Sequence, residues 1–200
     1  MTNPRSDTAL YALTLPDLGR LAVSPVDPEA DLDVLHGWVS APRARFWGMA
    51  EASRAEVGEV YRSLDALATH HAFLLRRDGD PVALLQTYEP GADRVGETYP
   101  VRPGDLGLHL LLAPPAAAPR PGFTAALLTA VFGFLFADPA VRRLVVEPDA
   151  ANGAALARLV RTGFTLGPQV VLPELALPEV HLPQKRARLA FLTREAAGQG

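Results

Sequence analysis

The stretch from Leu106 to Glu147 constrains the fold most. It reads LGLHLLLA, a proline-rich link PPAAAPRPG, an apolar helical run from about Phe123 to Ala137, and then VRRLVVE. Short runs that are almost wholly apolar and bounded by turn residues predict buried strands, and the helical run between them carries the chain from one strand to the next. A second helical pattern, DAANGAALARLVRTG with Gly163 at its close, follows VRRLVVE and leads into the strand FTLGPQVVL. Strands alternating with helices in this way predict an α/β fold, a central sheet flanked by helices.

The remaining segments extend that sheet. ALYALTL and GRLAVSPV read as two strands joined by the turn PDLG, and Asp27-Pro28 opens a helix that runs toward Trp38. A second amphipathic helix spans roughly Ser53 to Ala68, where Val57, Val60, Tyr61, Leu64 and Leu67 recur at helical spacing. HHAFLLRR, the turn DGDP and PVALLQTYE form a hairpin, because Asp-Gly accepts the positive φ that such tight turns require. After a looser PELALPEVHLP, the segment KRARLAFLTR makes a final strand. The predicted order is β-β-α-α-β-β-β-α-β-α-β-β. Residues 11–195 are expected to form one domain, with loose ends at 1–10 and 196–200.

Composition narrows the chemistry. The chain has 200 residues, 48% of them hydrophobic, enough for a sizeable core. A net charge of -3 gives no broad basic surface, so neither nucleic acid nor an anionic membrane is the expected partner. The absence of cysteine excludes disulfides, thiol nucleophiles and cysteine-metal sites. No apolar run reaches about 18 residues, and the start of the chain lacks a signal-peptide pattern, so a cytoplasmic protein is expected. Lys185 is the only lysine among 19 basic residues.

Two features carry candidate chemistry. LHGWVSAPRARFWG gathers both tryptophans of the chain, Trp38 and Trp47, with His36, Arg43 and Arg45. His109 interrupts an otherwise apolar strand, as either a hydrogen-bonded core histidine or a proton acceptor. EPD then offers two acids, Glu147 and Asp149, to orient an imidazole, and each also fits a helix-start acid. His70 and His71 lack metal-ligand spacing with other ligands, and no metal is expected.

HGWVSAPRARFWG, QTYE, DLGLHLLLAP, EPDAANGAALARLVRTGF and LPQKRARLAFLTRE, in this order, resemble the GNAT acyltransferases that build hydroxamate siderophores. The resemblance covers roughly His36 to Glu195. It implies the GNAT acyl-CoA N-acyltransferase fold and transfer of an acyl group from a CoA thioester, or from an acyl carrier protein, to the terminal nitrogen of an N-hydroxylated lysine, ornithine or diamine. The histidine that matches His109 is the family's proposed general base, and the resemblance favours Asp149 as its orienting acid. Glu147 matches a substrate-contacting acid of related antibiotic acetyltransferases.

The same resemblance assigns CoA to PRPGFTAALL. Arg120, Gly122 and the amides of Phe123, Thr124 and Ala125 would meet its phosphates at a helix N-terminus, Asn152 would contact its pantetheine arm, and Leu111 is a further cofactor-binding position. This loop departs from the family pattern, with Thr124 where a glycine is expected and two prolines that remove N–H donors. His36, Trp38, Arg45, Trp47, Gln86 and Tyr88 fall on the acceptor side, where the tryptophans wall an aliphatic chain and a histidine or arginine meets a carboxylate. Two other readings stand beside this one: acetyl transfer to an aminoglycoside or a protein N-terminus, and a non-catalytic binding module of the same fold.

Overall fold

The computed structural model describes residues 9–15, 19–114, 122–176 and 181–198. Most of the turn PDLG, the phosphate-loop positions through Pro121 with Arg120 among them, and the outermost residues of both termini lie outside the described residues. The elements are β1 (Tyr11–Leu15), β2 (Gly19–Pro25), α1 (Leu32–Val39), α2 (Arg54–Asp65), β3 (His70–Arg77), β4 (Asp80–Tyr88), β5 (Asp105–Leu112), α3 (Phe123–Leu135), β6 (Arg143–Val146), α4 (Gly153–Arg161), β7 (Thr165–Leu172), β8 (Leu175–Ala176), β9 (His181–Leu182) and β10 (Lys185–Thr193). They follow the expected order. The small β8/β9 ladder lies inside the segment expected to be loose, and short 3-10 helices at Pro42–Ala44, Pro90–Ala92 and Arg94–Glu97 also add to that order.

Local chemistry explains the boundaries. In the β3–β4 hairpin, Asp78 and Gly79 take φ of 52° and 99°, the left-handed pair that a two-residue turn requires. α2 starts at a capping box, in which Ser53 Oγ accepts from Glu56 N–H and Glu56 Oε2 accepts from Ser53 N–H. α1 begins at Leu32, four residues later than Asp27-Pro28 suggests. The cause is a side-chain turn: Asp27 Oδ1 accepts from the amides of Glu29 and Ala30, and Asp31 Oδ2 accepts from that of Asp27. α4 closes on Gly163, whose φ of 92° turns the chain so that Phe164 N–H reaches Leu159 O at 3.0 Å.

The chain divides into two compact units. The first comprises Met1–Gln86 and Leu110–Leu135, with strand order β1-β2-β3-β4 and the end of β5 beyond β4. β2 pairs antiparallel with both β1 and β3. α1 and α2 close a core of Leu35, Trp38, Val57, Tyr61, Leu74 and Leu84. α3 lies on β1 and β2, and its Phe134 ring packs edge-on against Phe73 at 5.0 Å.

The second unit comprises Thr87–His109 and Phe136–Gly200, with strand order β5-β6-β10-β7. β5 and β6 are parallel, as a helical crossover between them requires, and β10 is antiparallel to both β6 and β7. Its core gathers Tyr88, Val95, Leu172, Ala187 and Leu189 on one face. Among the described residues no helix is long and apolar enough to cross a membrane.

Candidate active site

The site is built on the strands of the second unit. Side chains two apart on a strand point the same way, so β5 presents Gly107 and His109 on one face. The Tyr88 ring, at the end of β4, lies over Gly107: a Cβ there would stand 2.1 Å from Tyr88 Cε2 and 2.2 Å from Cζ. Glycine inside this apolar strand is therefore the room that the tyrosine needs. The Tyr88 and His109 ring centroids are 5.1 Å apart.

Glu147 completes the cluster. β6 ends at Val146, but pairing with β10 continues, with Arg188 N–H donating to Pro148 O at 3.0 Å, a bridge between Asp149 and Ala187, and Ala150 N–H donating to Arg186 O at 3.0 Å. Glu147 thus sits on extended backbone held by a neighbour and is only 4% exposed. Its Oε1 lies 2.5 Å from His109 Nε2, and its Oε2 accepts from the Tyr88 hydroxyl at 2.6 Å. Lys185 Nζ, at the start of β10, is 3.7 Å from the same Oε1.

Electrostatics follow from this arrangement. Burial pushes the Glu147 carboxyl up, but the charge and hydrogen bond of His109, the charge of Lys185 and the Tyr88 hydroxyl outweigh it and bring it down to about 2. Burial and the Glu147 charge push the Tyr88 phenol well above its ordinary value, so it remains a donor. The His109 side chain is 38% exposed against 4% for Glu147, so the imidazole is the member of the pair that meets solvent. A second ion pair, Arg143 forked onto Asp105 at 2.7 Å for both bonds, ties the start of β6 to that of β5.

The expected orienting acid needs correcting. Asp149 reaches no imidazole; its Oδ1 accepts from Ala151 N–H at 2.8 Å and opens the turn into α4. Glu147 is the partner of His109. Tyr88, expected to touch the acceptor, is 2% exposed, with its hydroxyl bound to Glu147. Trp38, expected to wall the acceptor chain, is 8% exposed within the core of the first unit. Asn152 caps α4, its Oδ1 accepting from Ala155 N–H at 3.1 Å.

The other candidates belong to the first unit. Trp47 and Gln86 meet through buried Tyr61, whose hydroxyl accepts from Gln86 Nε2 at 3.2 Å and bonds the Trp47 indole. His36 is half-buried on α1, and exposed Arg45 lies over its neighbour Phe46 at 4.5 Å. Arg43 donates to the carbonyl of Leu112, and Leu111 packs half-buried against the first core. Gly122, with φ of 80°, precedes α3, whose first intrahelical bond runs from Ala126 N–H to Gly122 O. The amides of Phe123, Thr124 and Ala125 are thus the helix-start donors that suit a phosphate. Among the described residues no group of three or more His, Asp or Glu is placed to hold a metal ion.

The residues that the sequence left unassigned are Gly107, Tyr61 and, as a partner of the carboxylate, Lys185. A glycine two positions before the strand histidine, and a lone lysine among arginines, were the available signals.

Residues 27–172 match the model of the acetyltransferase (GNAT) domain family. The chain is 27% identical over 165 residues to N(6)-hydroxylysine O-acetyltransferase of Escherichia coli, which covers 80% of this chain and 51% of that protein. It is also 27% identical over 150 residues to Lysine N-acyltransferase MbtK of Mycobacterium sp. (strain MCS), covering 74% and 61%. The chain therefore spans between half and two thirds of the length of these relatives. A solved structure of AAC(6')-Ib with paromomycin and acetyl-CoA superposes with a TM-score of 0.70 at 24% identity, over 90% of this chain and 96% of that one.

Proposed function

Since the chain belongs to the acetyltransferase (GNAT) domain family, we propose that it transfers an acyl group from an acyl-CoA thioester to the terminal nitrogen of an N-hydroxylated lysine, ornithine or diamine. The product is a hydroxamate, a chelator of ferric iron, and the role is siderophore biosynthesis. The name of the Escherichia coli relative supports a hydroxylated lysine as acceptor, and that of the second relative supports acyl transfer to a lysine nitrogen. One observation carries it: the acid of the site is buried and held by three partners, while the group open to solvent is an imidazole.

That arrangement suits a hydroxylamine. An ordinary alkylamine is cationic near neutral pH and calls for an open carboxylate, whereas a hydroxylamine is largely neutral and needs only a proton acceptor as the new bond forms. Nε2–H of His109 donates to Glu147, which fixes the tautomer and puts the basic lone pair on Nδ1. As the acceptor nitrogen bonds to the thioester carbon, His109 takes the proton that the nitrogen sheds. When the C–S bond breaks, the imidazolium returns a proton to the departing sulfur, leaving hydroxamate and thiol. Glu147 stabilises the imidazolium in between. The first-turn amides of α3 would hold the CoA phosphates.

Acetyl transfer to an aminoglycoside is the second reading, favoured by the structural likeness to AAC(6')-Ib. A thiol-release assay with acetyl-CoA and longer acyl-CoAs against N6-hydroxylysine, N5-hydroxyornithine, N-hydroxycadaverine and kanamycin separates the two. Turnover confined to the hydroxylamines is expected. Turnover of kanamycin alone would sink the proposal.

A further inference from the structure

We propose that Lys185 is a positioning residue of this site: by taking part of the Glu147 carboxylate's charge, it keeps His109 in the unprotonated form that accepts a proton. The inference rests on reading His109 as the base, but its content, a division of charge, is measurable without turnover.

Two nitrogens address one oxygen. Glu147 Oε1 faces His109 Nε2 at 2.5 Å and Lys185 Nζ at 3.7 Å, while Oε2 is taken by Tyr88. The carboxylate is almost wholly buried and the lysine side chain is 24% exposed, so water screens the pair little. A carboxylate facing an imidazole with no other cation favours the protonated ring, and such a ring is a poor base. A second positive charge on the same oxygen opposes that protonation.

The surrounding groups do not supply this charge. Tyr88 on β4 is a neutral donor, and Tyr99 donates to Asp105 on β5, whose charge Arg143 on β6 offsets. Asp93 acts on the Tyr88 phenol and adds negative field. Lys185 is the cation left to share the carboxylate among the described residues that face it.

The residue type fits. Every other basic position in the chain is arginine. A guanidinium here would make a forked contact and compete with His109 and Tyr88 for the two oxygens, whereas an ammonium at 3.7 Å acts as a point charge and leaves both hydrogen bonds intact. β10 sets the placement, because Lys185 shares the strand face of Ala187 and Leu189, which pack in the core with Tyr88.

The test is NMR titration of the His109 ring in the full chain, its resonances assigned by their loss in His109→Gln. In Lys185→Met the midpoint is expected to rise by about one pH unit, and in Lys185→Arg, which keeps the positive charge, not to rise. Lys185→Gln serves as a second neutral variant in case methionine packs poorly. The acid limb of the kcat/KM profile should move up by the same unit. A midpoint unmoved in both neutral variants, or raised equally by arginine, overturns the inference. Absence of turnover in the wild-type chain would count against the acyltransfer reading alone, since the titration is read without substrate.

Discussion

The stretch from His36 to Trp47 and the cluster around Glu147 are both rich in aromatic and ionisable side chains, yet they use them in opposite ways. In the first, the aromatic groups close a core: Trp38 is buried beside Leu35 and Val57, and Trp47 bonds a buried tyrosine. In the second, a phenol, an imidazole and an ammonium are arranged around a single buried carboxylate. Density of unusual residues is therefore a poor guide to chemistry. What separates the regions is what the polar atoms converge on: a neutral hydroxyl, that of Tyr61, in the first, and a buried carboxylate, that of Glu147, in the second.

Trp38→Ala should give the largest effect and bear on stability. Truncating a buried tryptophan costs about 3–5 kcal/mol through lost burial and the cavity left behind. Denaturant unfolding reads this directly. A loss below about 1 kcal/mol would mean that Trp38 is not a core residue, and the contrast between the regions would fail.

His109→Gln should invert that result. The amide still donates to Glu147, so the unfolding free energy should stay within about 1 kcal/mol of wild type. kcat/KM should fall by about 10²-fold, equivalent to about 2.7 kcal/mol, because no base remains. A rate within threefold of wild type would return the histidine to a structural role.

The architecture was legible because it rests on local signals. Asp78-Gly79 specified the hairpin, the spacing of Val57, Tyr61 and Leu64 specified α2, and the apolar run around His109 specified a strand, of which only Gly107 and Leu108 are fully buried. The start of α1 was misread because Asp27 and Asp31 bond backbone amides before the helix begins, a competition that a proline signal does not reveal. Of the cluster, His109 stood out as a polar residue in an apolar strand. The choice between Glu147 and Asp149 was not legible, since both lie on extended backbone two residues apart and only the turn at Ala151 draws Asp149 away. Lys185 is 38 residues from Glu147 in sequence and meets it only through the β6–β10 pairing.

Acid stability probes the cluster from another side, with a smaller expected effect. The Glu147 carboxyl is lowered from 4.5 to about 2 in the folded chain. A group lowered by folding contributes stability above its unfolded value and loses it as pH falls through the folded one, so the wild-type chain should weaken between about pH 4.5 and 2. Glu147→Gln lacks this titration and should show a shallower decline, by on the order of 1 kcal/mol, in denaturant midpoints measured across that range. Identical slopes would mean that the carboxylate is not held charged in the fold.

Arg45→Ala carries the smallest expected effect and tests the first region on its own ground. The guanidinium is exposed and lies over the adjacent Phe46 ring at 4.5 Å, a contact within one surface turn. Its loss should change stability by no more than about 0.5 kcal/mol. For substrate, the informative pair is N6-hydroxylysine, which bears a carboxylate, and N-hydroxycadaverine, which lacks one. A surface arginine leaves KM for both within about twofold. A selective rise of about tenfold for hydroxylysine alone would mean that Arg45 meets the acceptor's carboxylate. The first region would then combine core packing with recognition, and the division between a stretch that packs and a cluster that reacts would have to be redrawn at a single side chain.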